Sequence, residues 1–514
     1  MQPPVWEPPR ALSPQEAAIV RRIRRAKLFV CLREQRHLLF DAALQQELAG
    51  TYRESPLGQP PIPPAQLALA LVLQAYTGVS DDEVIEATTM DRRWQLVLDC
   101  LDAEQPPFSK GTFVGFRQRL LAADLDRRLI ERTIALYTAA HGAPASRQLR
   151  AALDSSPLWG AGRVEDTYNL LGRALRKAVG VLAAQQGREL AAVAHEAGAG
   201  LLGGSSLKAA LDRNWDEPGE RATALAEVLS VLDRVEQWLG VQKAVPPAAV
   251  DALAVARQVR DQDVEQAATA TPKLRRGVAK ERRISVEDGA MRHGRKSRSL
   301  RVDGYKRHAL LDLDTDLVRA VGLTAANRPE AEVTEAGMAD LGQQAVQLAE
   351  LHIDRGYLSS SLVRDRPADL LVYCKAWPVR NGPRFSKLAF SLNWAAGTLT
   401  CPAQQVMPFR VGATVRFPEA VCTACPLRER CTTGRRGRSI SIHPDERLLA
   451  EFRQRQATPA GRALLRQRVG VEHSLAHLGR WQGDRARYIG ERKNLFDLRR
   501  VAVVHNLHVL ARAA

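Results

Sequence analysis

The chain has 514 residues, 45% of them hydrophobic and 25% charged, an ordinary globular composition that excludes a disordered or fibrous polymer. Lys and Arg number 74 against 57 Asp and Glu, and the net charge of +17 points to a polyanionic partner, nucleic acid before membrane. No apolar run reaches the roughly 18 residues of a spanning helix, and seven cysteines in so long a chain argue against a disulfide scaffold.

The length suits about three domains. The opening "MQPPVWEPPR" lacks a charged n-region followed by an apolar core, so a reducing, cytoplasmic setting is expected. Residues 11 to about 145 read as short helices punctuated by Pro and Gly. In "PPAQLALALVLQAYTGVSDDEVIEAT" Gly78 ends one helix and Ser80 caps the next. "FSKGTFVGFRQRLL" places Ser109 and Thr112 before a helix carrying Arg117 and Arg119. Such spacing fits a DNA-binding helix-turn-helix and a plain helical bundle equally well.

At "RQLRAALDSSPLWG" the texture changes. Leu149, Ala151 and Leu153 alternate as in a strand that stops on Asp154. Residues 163–270 are Ala- and Leu-rich with helical periodicity. Strand texture returns in "SLRVDGYKRHALLDLDTDLVRAVGLTAAN", with "DLDTD" as a hairpin turn, and continues in "LAELHIDRGY" and "DLLVYCKAW". The pattern predicts an α/β sheet interrupted by a helical insertion and a cysteine-containing one. Residues 271–310 hold 13 Lys and Arg against 4 Asp and Glu. Placed just before a core strand, this run is expected to form an edge that contacts phosphate, although charge runs are commonly solvated loops.

Three acids stand out. Asp154 and Asp354 each follow a strand, which suits presentation at one sheet edge, although an Asp there is often only a turn former or cap. In "GRALLRQRVGVEHSLAHLGR", Arg468, Glu472 and Ala476 are spaced four apart, as on one helical face, beside an apolar stripe of Val471 and Leu475. Carboxylates so arranged suit a pair of Mg²⁺ ions about 3.5–4 Å apart, because hard oxygen ligands match that ion.

Taken in order, "PPIPPAQLALALVLQAYTGVSDDEVIE", "FSKGTFVGFRQRL", "ALDSSPLWGAG", "HGRKSRSLRVDGYKRH", "TAANRPE", "HIDRGY", the Glu472 helix and "NLFDLRRVAVVHNLHVLAR" resemble a DDE transposase of bacterial insertion sequences. The resemblance is closest to the IS-eleven-eighty-two group and covers nearly the whole chain. It implies a helical N-terminal DNA-binding and assembly domain over 1–145. It also implies an RNase H-like α/β catalytic domain over 146–514, with a helical insertion at 163–270 and a Cys-rich one at 375–445. Asp154, Asp354 and Glu472 are then the catalytic metal ligands for two Mg²⁺ ions, with Mn²⁺ as an alternative. Arg468 matches the Arg of the signature around the third acid. The position where related enzymes carry Tyr is Leu465, and their Lys position is Gly479, with Arg480 adjacent. DNA contacts are expected from Arg468, Arg480, Arg292, Arg295, Lys296, Arg298 and Lys306. The implied partners are double-stranded DNA, both element ends and target, and a second copy of the chain when assembled on DNA.

Cys401, Cys422, Cys425 and Cys431 are separated by gaps of 20, 2 and 5 residues, and "CTACPLRERC" has the close pair that a tetrahedral zinc site favours. A structural zinc knuckle is the expectation, with unligated thiols or an iron–sulfur cluster as the alternatives. Similar transposases carry cysteines here, which suggests a shared role without identifying a metal. Cys31, Cys100 and Cys374 read as core residues. The lone histidines His308, His352 and His473 are assigned no chemistry. The expected activity is metal-dependent cleavage at element ends followed by 3′-OH strand transfer. Its rivals are a nuclease or resolvase without strand transfer and an inactive DNA-binding descendant.

Overall fold

The computed structural model describes residues 2–53, 59–142, 148–265, 272–277, 279–297 and 299–513. The chain forms two compact units. One comprises Met1–Arg147, Asp154–Val346 and Val471–Ala514, the other Gln148–Leu153 and Gln347–Gly470. The expected division near residue 145 falls outside the described residues, and the N-terminal helices share a unit with later parts of the chain.

In the first unit, helix Pro64–Thr77 is buried from Pro64 through Ala75, as its apolar sequence on all faces demands. It ends on Gly78 at φ 75°, and Ser80 with Glu83 forms a capping box for Asp81–Met90, both as expected. Ser109 caps Lys110–Ala122, and Thr112, expected before this helix, lies in its first turn. Arg117 of that helix is buried and bonds Asp81 and the Tyr488 hydroxyl, so it fastens helices together. Burial pushes the Asp81 carboxyl up, but bonds from Arg117 and Gln74 outweigh it and hold the group down to about 2. The insertion expected to be helical contains Thr167–Gln185, Pro218–Gly240 and Pro247–Asp263, whose Ala, Leu and Val side chains build their own core. The helix Glu491–Ala513 buries Val501 to Val504 and Leu507.

The same unit holds antiparallel strands. Arg292–Arg295 pairs with Arg301–Asp312, which pairs with Val318–Ala325 across the expected hairpin turn. Gly304 lies where backbones nearly touch, since a Cβ on it would stand 2.3 Å from the Gly160 nitrogen. The strand expected to stop on Asp154 instead runs Gln148–Trp159, so Asp154 lies within it. The turn-forming texture of Ser155-Ser156-Pro157 is overridden, and the Trp159 nitrogen bonds the Asp484 carbonyl.

In the second unit, Gln148–Leu153 pairs in parallel with Gln347–Ile353, ending on the pair Leu153↔Ile353. Leu371–Tyr373 continues this arrangement in parallel with Glu350–His352. Beyond it lie two small antiparallel ribbons, Ser391–Asn393 with Thr398–Thr400 and Val406–Pro408, and Thr414–Arg416 with Ser439–Ser441. Helices Glu446–Ala457 and Pro459–Arg466 follow. The helix carrying Glu472 starts at Val469, which leaves Arg468 in the preceding two-residue turn. The expected helical face therefore joins Glu472 and Ala476 but excludes Arg468. Among the described residues no helix is long and apolar enough to cross a membrane.

Candidate functional site

Asp154 is buried in its strand, and its Oδ1 accepts the Ser155 N–H at 2.8 Å. Several groups of the same unit converge on Ser155. Its hydroxyl donates to Glu330 Oε1 at 2.6 Å, and the Lys296 ammonium donates to its carbonyl at 2.9 Å. Lys306 lies 3.9 Å from Glu330 and bonds the Arg328 carbonyl. His308 is fully buried against Thr324 Oγ1, and burial with nearby Lys306 and Lys296 pushes it down to about 3. It is neutral and structural.

Asp354 follows its strand as expected. Its Oδ1 accepts the Gly356 N–H at 2.7 Å, so it caps the short turn Arg355–Tyr357. Within the second unit, Asp354, Arg355 and Arg468 all act on buried Cys374. Burial and then Asp354 push this thiol up to about 12, against the two arginines. The Arg355 guanidinium stands 5.1 Å from the ring centre of Trp377, which is 49% exposed. The Arg150 guanidinium bonds Glu350 and Gln467, and His352 stacks on Tyr373.

Glu472 is exposed near the start of its helix, whose inner face buries Val471 and Leu475. Within the first unit His477 and Trp481 of that helix pack on His505 and His508 of the last helix and on Tyr76. Gly479 is the position that the resemblance would set against a Lys. A Cβ there would be 3.2 Å from Arg307 Nη2. Arg307 is buried and bonds Ser156 Oγ at 2.8 Å and the Gly483 carbonyl at 2.9 Å, so its charge already occupies that space.

Of the residues expected to contact DNA, Arg292 bonds the Gly289 and Met291 carbonyls and faces Glu281 at 3.7 Å. Lys296 and Lys306 are held as described above. Arg295 and Arg480 are exposed, and Arg298 lies outside the described residues. Glu330, Arg307 and Trp377 carried no sequence signal for these positions, although Glu330 closes the quoted stretch "TAANRPE".

Cys401, Cys422, Cys425 and Cys431 line one cavity of about 330 Å³ together with Phe385, Phe390 and Phe417. Burial pushes the Cys431 thiol up, Arg438 opposes this, and the other three cysteines add to the rise. Backbone N–H groups point at two sulfurs, from Gln405 to Cys401 Sγ at 3.4 Å and from Arg438 to Cys422 Sγ at 3.5 Å. Such bonds suit thiolates that ligate a metal. Cys374 is buried as expected, whereas Cys31 and Cys100 are only partly so. Among the described residues, no group of three or more His, Cys, Asp or Glu is drawn together as a ready ligand set.

A family model described as "Transposase DDE domain" matches residues 400–511, a span holding the four cysteines, Arg468 and Glu472. A second, described as "Transposase domain (DUF772)", matches residues 27–119 among the N-terminal helices. Both are transposase domains, and they indicate a DNA transposase with DNA as its partner. No curated protein and no solved structure matches the chain.

Proposed function

We propose that the chain is a DDE transposase of the IS-eleven-eighty-two type, which cleaves the ends of an insertion sequence and joins the released 3′-OH to target DNA. The observation that carries this reading is the parallel register ending on Leu153↔Ile353, one residue before Asp154 and one before Asp354. The mixed strand pairing supports an RNase H-like core, and the DDE-domain match over Glu472 supports that residue as the third acid.

Asp154, Asp354 and Glu472 would supply hard carboxylate oxygens, the donor type that Mg²⁺ or Mn²⁺ takes, once brought together. When bound, such ions supply Lewis acidity and an activated water. The chain's own groups position the DNA. Arg468 is to neutralise phosphate beside Asp354, and Lys296 and Arg307 fix the strand around Asp154. In the first step one phosphodiester bond is hydrolysed, leaving a 3′-OH on the element. In the second that oxygen bonds a target phosphorus while a target P–O bond breaks. A dimer assembled on DNA is part of this reading. In the cysteine module, the four thiols that line one cavity would be the ligands of a structural zinc ion.

The test uses duplex DNA of the element ends, read from inverted repeats flanking the gene. The parent should cut it in Mg²⁺ and join precleaved ends to a plasmid. Asp354→Asn should bind it as well as the parent, since affinity comes from phosphate contacts, while cleavage falls by orders of magnitude. Near-parental cutting by Asp354→Asn defeats the assignment, and cutting without joining favours the nuclease reading. Purified protein carrying neither zinc nor iron defeats the metal assignment of the cysteines.

A further inference from the structure

We propose that the turn Gly434–Gly437 clamps the phosphate backbone of duplex DNA through Arg435 and Arg436. The proposal rests on the transposase reading for the identity of the polyanion. The turn lies in the segment between strands Thr414–Arg416 and Ser439–Ser441, just after Cys431. Gly437 N bonds the Gly434 carbonyl at 3.4 Å, which makes Arg435 and Arg436 the two central residues of a tight turn.

Its base is fixed on both sides. The Gly434 N–H bonds Thr432 Oγ1 at 3.0 Å. The Arg438 N–H points at Cys422 Sγ, and the Arg438 guanidinium bonds the Phe385 carbonyl at 3.2 Å and lies over the Phe390 ring. The tip differs. Arg435 and Arg436 are exposed, and neither side chain has a hydrogen-bond or ion-pair partner among the described residues. Other arginines of the module are engaged within it, Arg428 with Thr423 and Arg430 over the Phe385 ring.

Two adjacent unpaired guanidiniums on a rigid turn match the chemistry of phosphate. Each presents a planar fork that binds two oxygens, and the fixed turn reduces the entropy lost on contact. The module as a whole favours a polyanion, with seven arginines against three acidic residues over 401–445. Arg410 and Arg416 are also exposed there. Contacts of this kind carry register and affinity, not sequence.

The test measures affinity against salt for the full-length protein on a random-sequence duplex of about 30 base pairs, because each neutralised phosphate adds about 0.9 to the slope. The double variant Arg435→Ala/Arg436→Ala should lower the slope by about 1.8 and weaken binding at least about tenfold at low salt. Arg435→Lys/Arg436→Lys should keep the slope, and both variants should melt with the parent. An alanine variant with parental slope and affinity overturns the proposal. So does one that also loses thermal stability, since the pair would then be structural. If the parent itself shows no salt-dependent binding, the DNA reading fails first and the clamp with it.

Discussion

His477 Nδ1 lies 2.9 Å from His505 Nδ1, and the far nitrogen of His505 lies 3.0 Å from the Asp316 carbonyl. A carbonyl only accepts, so His505 carries its proton on Nε2 and presents a bare Nδ1. His477 must then donate from Nδ1. Two neutral tautomers are thereby assigned by their partners, and a proton added to His505 Nδ1 sets two N–H donors face to face. This pair ties the Glu472 helix to the last helix, with His508 stacked on Trp481 beside it.

Acid should therefore loosen the first unit. Burial, followed by the neighbouring histidines, Arg512 and Arg480, pushes His477 down to about 4. Burial, followed by Arg512 and His505, does the same to His508. His505 is lowered by burial against the opposing pull of Asp316. The folded values lie below the unfolded value of about 6.5, so the unfolded chain binds more protons between them. The stabilisation is whole above about pH 6.5 and is lost as pH falls toward about 4. Thermal melts across that window should show a falling midpoint. His508→Phe should flatten it, because the ring still stacks and His508 Nε2 is buried without a hydrogen-bond partner among the described residues. A melting temperature independent of pH would remove the cluster from any role in stability.

What the sequence disclosed was local. Gly78 and Ser80 are legible because a cap is decided by a few adjacent residues, and both act as read. Strand identity at Asp154 was only half legible. The stretch Ser155-Ser156-Pro157 has turn chemistry, and it stays extended because distant backbone pairs with it. Arg468 illustrates the limit of periodicity, since a spacing of four cannot reveal a turn at 467–468. The partners of Arg307 and Glu330 were not legible, although both residues lie in stretches that carried the resemblance. Their defining contacts, to Ser156 and Ser155, span 151 and 175 residues.

Asp126 should be a stability hinge of the N-terminal helices. It is buried, and Arg492 and Arg499 of the last helix both pair with it, at 3.0 Å and 3.2 Å for the Oδ2 contacts. Removing one partner of a buried pair strands the other charge, at a cost of about 3–5 kcal/mol. Asp126→Ala should show a loss of that order in chemical denaturation. Asp124→Ala should lose much less, because its side chain is 57% exposed although it also meets Arg499.

Gly437 should resist substitution. Its φ is +83°, and an added Cβ would stand 2.4 Å from the Phe417 carbonyl oxygen and 3.3 Å from Cys422 Sγ. The first contact is with backbone just past the strand Thr414–Arg416, held by the bond from the Phe417 N–H to the Arg438 carbonyl. Gly437→Ala should open the cysteine module, at a cost of about 1–3 kcal/mol. Thiol-reagent kinetics should show Cys422 reacting faster, with the buried Cys374 unchanged. Equal rates at Cys422 in parent and variant would mean that the turn adapts freely.

Glu330 is the residue whose role the geometry can decide. It accepts the hydroxyl proton of Ser155, the neighbour of Asp154, and a second carboxylate beside Asp154 has two readings. As a positioning residue it acts through Ser155, and what matters is an acceptor oxygen at that spot. As a metal ligand it acts through its negative charge. Glu330→Gln separates the two, because the amide oxygen still accepts the Ser155 proton while the charge is gone. The contact with Lys306 at 3.9 Å is long and contributes little by itself. We expect the positioning role. Glu330→Gln should then cleave within about threefold of the parent at the same Mg²⁺ requirement, while Glu330→Ala, which leaves the Ser155 hydroxyl without its acceptor, should fall at least about tenfold. A Glu330→Gln enzyme as slow as Asp354→Asn, or one needing far more Mg²⁺ to reach parental rate, would place Glu330 among the metal ligands instead.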